Sequence, residues 1–175
     1  DAALVLKYLV GTETFNARQL MVADVTQDST VSALDATAIA QYVVEIIDTL
    51  PVDNSQNLAG TGDFVINEDG FSPGALLEIP ILLTGGNNLL SFELDISYDS
   101  DIVTFENVEW SEMINHFTIE ENIEGGSIRF AGMGTIPDGE EGVFTTVSLF
   151  VASGFTGESI DVTVNKYRTN ESEPV

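Results

Sequence analysis

The chain has 175 residues, 43% of them apolar, enough for a sizeable core in one large domain or two small ones. Twenty-nine acidic against five basic side chains give a net charge of −24, which removes the basic surface that nucleic acid or anionic lipid would need and leaves hard cations and saline water as natural partners. Cysteine is absent, which excludes disulfides, zinc thiolates and cysteine nucleophiles, and no apolar run reaches the ~18 residues of a membrane span.

The chain opens at Asp1-Ala2-Ala3 without a methionine or a visible signal peptide, and reads as a fragment. Leu4, Val5, Tyr8 and Leu9 share one helix face. A short helix is expected from Asn16 to Val22, with Asn16 as its cap. From Asp35 to Leu50 the stripe Ile39, Tyr42, Val43, Ile46, Ile47, Leu50 has amphipathic helical spacing. It is expected to pack through Ile39, Tyr42, Val43 and Ile46 on the Leu4/Tyr8/Leu9 face. The two outer helices also repeat each other: Asp1-Ala2 and Tyr8-Leu9-Val10 align with Asp35-Ala36 and Tyr42-Val43-Val44 at an offset of 34 residues. Such a repeat is commonly one supersecondary unit used twice.

The segment before the second copy carries chemistry. Asp24 to Asp35 is a twelve-residue stretch with an oxygen at every position that an EF-hand-type calcium loop uses. These are Asp24, Thr26, Asp28, the Thr30 carbonyl, Ser32 and Asp35, with Val31 as the apolar plug. Thr26 stands where Asp or Asn is usual, and Ser29 where Gly would ease a left-handed turn at a cost of ~1 kcal/mol. Three carboxylates predict weak to moderate calcium affinity of the extracellular kind. With the ion bound, the helix is expected to start at Ala36. The competing reading is a plain acidic helix-capping loop.

This pattern resembles the second half of a dockerin module, and Asp1 to Gly11 resembles the first half without its loop. The resemblance covers residues 1–51. It implies calcium-dependent folding and docking on a cohesin partner through the helix faces. The recognition pair at loop positions ten and eleven would be Ala33-Leu34, more apolar than the hydroxyl pairs of cellulosomal dockerins.

Residues 52–61 are polar and turn-rich and read as a linker. Beyond them the apolar period becomes two, clearest in Leu90-Phe92-Leu94-Ile96-Tyr98. Leu77 to Leu83 alternates too, with Pro80 marking an edge or bulge. Further strands are expected at Asp63–Asn67, Ile102–Trp110, His116–Glu121, Ser127–Ala131, Val143–Ala152 and Ser159–Lys166, with Asn170–Val175 as a frayed tail. About eight short strands read as a β-sandwich, with a closed barrel as the alternative. The order Ser72 to Ile81, Leu90 to Val103, Gly126 to Gly132 and Gly142 to Val151 is similar to cohesin domains, which implies a non-catalytic jelly-roll over residues 62–175.

The lone His116 reads as a strand residue, Glu120-Glu121 and Glu140-Glu141 as solvated turns, and Asp99 with Asp101 as a polar turn. Phe92, Phe105 and Phe130 fall on the inward alternation, whereas an exposed Trp110 would offer a sugar platform. The chain is thus expected to be α+β: a dockerin-like calcium module followed by a cohesin-like sandwich. It would be a non-catalytic, extracellular or cell-surface scaffold fragment. Its partner would be a cohesin or dockerin module on another protein, or a second copy of itself. A carbohydrate-binding sandwich carrying a docking tag is the alternative.

Overall fold

The computed structural model describes residues 1–52, 61–66 and 70–170, so most of the expected linker and the last residues of the tail lie outside it. Three helices come first. Helix α1 (Ala2–Val10) starts at Asp1, whose carboxylate accepts from Ala3 N at 3.0 Å. It ends at Gly11, whose φ of 85° is the left-handed closure that glycine adopts without strain. Helix α2 (Ala17–Ala23) opens with a reciprocal capping box between Asn16 and Gln19. Helix α3 (Ala33–Val43) opens with another, between Ser32 and Asp35.

The expected end and buried face of the last helix both change. It begins at Ala33 rather than Ala36 and stops at Val43 rather than Leu50. Glu45 takes a left-handed φ of 60°, and Ile46 N closes the end on Gln41 O at 2.9 Å. Tyr42, Val43 and Ile46 are exposed, whereas Ala33, Leu34, Ala36, Thr37 and Ala38 are buried. The cause is steric: α3 is wedged against α1 and a sheet at once, and short side chains allow that approach where a bulky stripe would hold it off. On α1 the buried residues are Val5, Leu6 and Val10, with Leu4 exposed. The sequence repeat therefore does not give the two helices equivalent surroundings.

Eight strands follow: β1 (Thr61–Ile66), β2 (Leu76–Asn87), β3 (Leu89–Tyr98), β4 (Val103–Trp110), β5 (Thr118–Glu124), β6 (Ser127–Ile136), β7 (Gly142–Val151) and β8 (Val162–Thr169). They form two antiparallel sheets of order β1-β2-β7-β4 and β5-β6-β3-β8, a sandwich and not a closed barrel. Between the sheets lie Ile79, Ile81, Leu94, Ile96, Ile128, Val147 and Leu149, together with an aromatic cluster of Phe64, Phe92, Phe130 and Phe144. Trp110 is half-buried in that cluster, 4.8 Å from Phe130 and edge-on to it, so it is not a flat exposed platform. Pro80 lies in β2 opposite Thr146 of β7, beside a register shift between Ile81 and Leu82.

Several local expectations change. His116 sits in the turn before β5, and Glu120-Glu121 are strand residues. Asn170 is buried rather than frayed: its Oδ1 accepts from Leu90 N and Ser91 N at 2.7 and 2.9 Å, and its Nδ2 donates to Asn88 O.

Gly132 of β6 leaves the space that the Phe92 ring fills, since a Cβ there would stand 2.2 Å from Phe92 Cε1. Gly132→Ala is expected to cost about 1–3 kcal/mol through overpacking. A thermal melt followed by Trp110 fluorescence would show the lowered midpoint, and an unchanged midpoint would refute the packing argument.

Candidate functional site

Two adjoining features stand out: the loop that joins α2 to α3, and the seam between the helices and one sheet. In the loop, Gln27 and Ser29 adopt left-handed φ values of 61° and 77°. These turns bring Ser29 N to Asp24 Oδ2 at 3.1 Å and Thr30 N to Asp28 Oδ1 at 2.7 Å. Val31 packs half-buried against the helical core.

Asp35 is the hub. It has 0% exposure, and both its oxygens are engaged. Oδ1 accepts from Val25 N at 2.8 Å, Thr26 N at 3.0 Å and the Thr26 hydroxyl at 3.0 Å. Oδ2 accepts from Ser32 N at 2.8 Å and the Ser32 hydroxyl at 3.3 Å. One carboxylate thereby closes the loop and opens α3. Burial raises the Asp35 carboxyl above the ordinary aspartate range, while the hydrogen bonds from Thr26, Ser32 and Val25 pull it back down. Nearby, Asp24 Oδ1 is buried without a hydrogen-bond partner. Among the described residues, no three His, Cys, Asp or Glu side chains stand together as a ready cation cluster.

The seam lies on the outer face of the β5-β6-β3-β8 sheet. Phe92, Leu94 and Ile96 point inward, so Ser91, Glu93 and Asp95 point outward; Arg129, Ala131 and Met133 of β6 do the same. That face is nonetheless covered. Ala131 and Met133 join Val5, Leu6, Val10, Ala33 and Ala36 in one apolar cluster. Ser91 is 1% exposed and Glu93 6%.

The polar contacts across the seam address helix ends. Glu93 Oε1 accepts from Ala33 N at 3.1 Å, which puts a carboxylate at the positive end of α3. Glu93 is held in turn by Lys166 Nζ at 2.7 Å and Arg168 Nη1 at 3.9 Å. At the opposite pole of α1, Asn122 Nδ2 donates to Val10 O at 3.0 Å. Arg129 Nη1 comes so close to Gly11 that a Cβ would be 3.1 Å from it. Midway along α3 the Thr37 hydroxyl donates to Leu90 O at 2.9 Å.

Of the residues singled out in the sequence, Asp24, Thr26, Asp28, Thr30, Ser32 and Asp35 lie in one loop, with Thr26 and Ser32 each donating to Asp35. Ala33 and Leu34 are buried, and Ala33 meets the sheet through its backbone. Glu93 and Asn122 escaped the sequence reading: an acid on the outward alternation of a strand looks like any solvated acid. Only Arg168, opposite it in register, and Lys166, opposite Asp95 two residues on, could have hinted at burial.

Comparison with known proteins gives a likeness for each part of the chain. The family model for the dockerin type I domain matches residues 1–44. Among solved structures, a chain of a type I cohesin–dockerin complex from Clostridium thermocellum is similar at 17% identity and a TM-score of 0.55, covering 66% of this chain and 92% of that one. The sixth cohesin of scaffoldin B from Acetivibrio cellulolyticus, solved with a dockerin, matches at 16% identity and 0.53, covering 62% and 84%. A non-cellulosomal cohesin from the archaeon Archaeoglobus fulgidus matches at 15% and 0.51, covering 62% and 76%. No curated protein matches the chain in sequence. The chain therefore joins a region that matches the dockerin type I model, residues 1–44, to a β-sandwich of the cohesin fold.

Proposed function

We propose that this chain is a non-catalytic interaction unit of an extracellular or cell-surface scaffold, whose dockerin-type helices recognise a cohesin-type sheet. The observation that carries the reading is the seam: a sheet of the cohesin fold lies against dockerin-type helices through Glu93, Asn122 and Thr37. Residues 1–51 would be one module, 52–61 its tether and 62–175 the other, with Ala33 and Leu34 as the recognition pair. The solved relatives named as cohesin–dockerin complexes support that pairing. Docking on a cohesin of another protein would use the same helix groups, the Ala33 amide, the Val10 carbonyl and the Thr37 hydroxyl. A sugar-binding reading has no support from Trp110, which packs into the sandwich core.

We further propose that the loop takes calcium. Asp24, Thr26, Asp28, the Thr30 carbonyl, Ser32 and Asp35 are hard oxygens of the type calcium prefers, and Asp35 would join them by giving up some of the loop donors that its two oxygens now accept from. The unpartnered, buried Asp24 Oδ1 is an oxygen for which the ion would be a partner. Bound calcium would supply positive charge among carboxylates and fix the loop. Asp35 already organises the loop amides, so calcium adds to a formed loop and its contribution to stability is modest.

Calorimetric titration of the whole chain tests this. Heat of calcium binding is expected at weak to moderate affinity, and Asp24→Ala is expected to abolish it while leaving the helical circular dichroism in place. Absence of heat and of any thermal shift at millimolar calcium would exclude the metal and leave the docking seam intact as a separate question.

A further inference from the structure

We infer that the helix-docking face of the sandwich is closed in cis by the chain's own α1 and α3, so that a helical module from another molecule reaches it only after they leave. This rests on the reading that the outer β5-β6-β3-β8 face is a docking face. Outward-pointing groups of a sheet are ordinarily wet, yet Ser91, Glu93 and Ala131 are all at most 6% exposed. What covers them is helix, as the shared cluster of Ala131 and Met133 with Val5, Val10 and Ala33 shows.

The contacts also suit a competitor of one kind. Glu93 reads an amide at a helix start, and Asn122 and Arg129 attend a helix end. These groups recognise backbone ends and require a small residue where Ala33 lies, since it is 2% exposed against the sheet. The fitting partner is therefore a second helical module of the same design, including that of another copy of this chain.

Tethering favours the resident helices. Val52 and Thr61 bound an eight-residue span in the sequence, and a short linker gives an effective concentration of about 1 mM. If resident and visitor bind the face with equal intrinsic constants near 1 μM, the face is open about one part in a thousand, and the visitor's apparent affinity falls by that factor.

Complementary variants of the whole chain test this. A receptor variant, Ala33→Arg with Thr37→Arg, expels the resident helices and leaves the sheet intact. A donor variant, Glu93→Lys with Ala131→Glu, spoils its own sheet and frees its helices. Donor is expected to bind receptor one to one, and to bind wild type at least a hundredfold more weakly. Equal binding to both overturns the closure and preserves the docking reading. Binding to neither, with donor helices present by circular dichroism, overturns both.

A second measurement does not depend on the donor folding. Gln41 and Thr118 line one cleft between α3 and the sheet, and the chain has no cysteine of its own. Spin labels at Gln41→Cys and Thr118→Cys are expected to show a single short separation in the wild-type background, lost in the receptor variant. A broad distribution in both backgrounds overturns the closure.

Discussion

Asp35→Ala is expected to melt the helical region while the sandwich stays folded. The substitution strips the acceptor from Val25 N and Ser32 N in buried contacts and from Thr26 N in a part-buried one. Each unsatisfied buried donor costs about 1–3 kcal/mol. The sum, about 3–5 kcal/mol after relaxation, exceeds what a three-helix segment with so few buried side chains can lose. Far-ultraviolet circular dichroism should lose its helical component, while Trp110, set in the sandwich core, keeps its emission. Asp35→Asn should fall between, because one amide oxygen still accepts while the new NH2 faces donors. A helical signal that survives Asp35→Ala would mean that the loop is held by something other than this carboxylate.

Glu93→Ala is expected to loosen the seam by about 2–3 kcal/mol. It removes the acceptor of Ala33 N and the partner of Lys166 from a site where the acid is buried. Breaking a buried pair can cost about 3–5 kcal/mol; the smaller figure reflects Lys166, whose side chain is 46% exposed and so rehydrates, while Arg168 at 12% exposure and a longer 3.9 Å contact keeps part of the cost. Glu93→Gln keeps an oxygen for the α3 amide and should cost less. Denaturant titration of the two variants, read through helix and through Trp110, would separate them. The two transitions are expected to come apart in Glu93→Ala. An unfolding curve identical to wild type would show that the seam draws nothing from this contact.

These residues also mark where the sequence was legible. The sandwich was, because a strand with one face in a core must alternate, and Leu90 to Tyr98 does so. Helix caps were legible in part: Asn16 and its partner three residues on form a local signal. The helix faces were misread because hydrophobicity favours large side chains, whereas a helix wedged between a helix and a sheet selects Ala33, Ala36 and Ala38 by size. Glu93 and Asn170 were missed because nothing nearby in the chain indicates that segments 60 and 80 residues away supply their partners. Asp35 stands out in the sequence only as the last oxygen of a calcium-type loop, and its direct bonds to loop amides are geometry that spacing does not encode.

Three of the five basic residues, Arg129, Lys166 and Arg168, are gathered on the sheet beneath the helices. The rest of the surface is therefore almost purely anionic, and two molecules meeting in dilute buffer repel from nearly every direction. Shielding shortens that repulsion to about 10 Å at 0.1 M salt and about 3 Å at 1 M, while the shielded Glu93 contact changes little. Any assembly between copies should thus strengthen in brine and dissolve on dialysis into fresh water, the reverse of an association driven by surface ion pairs.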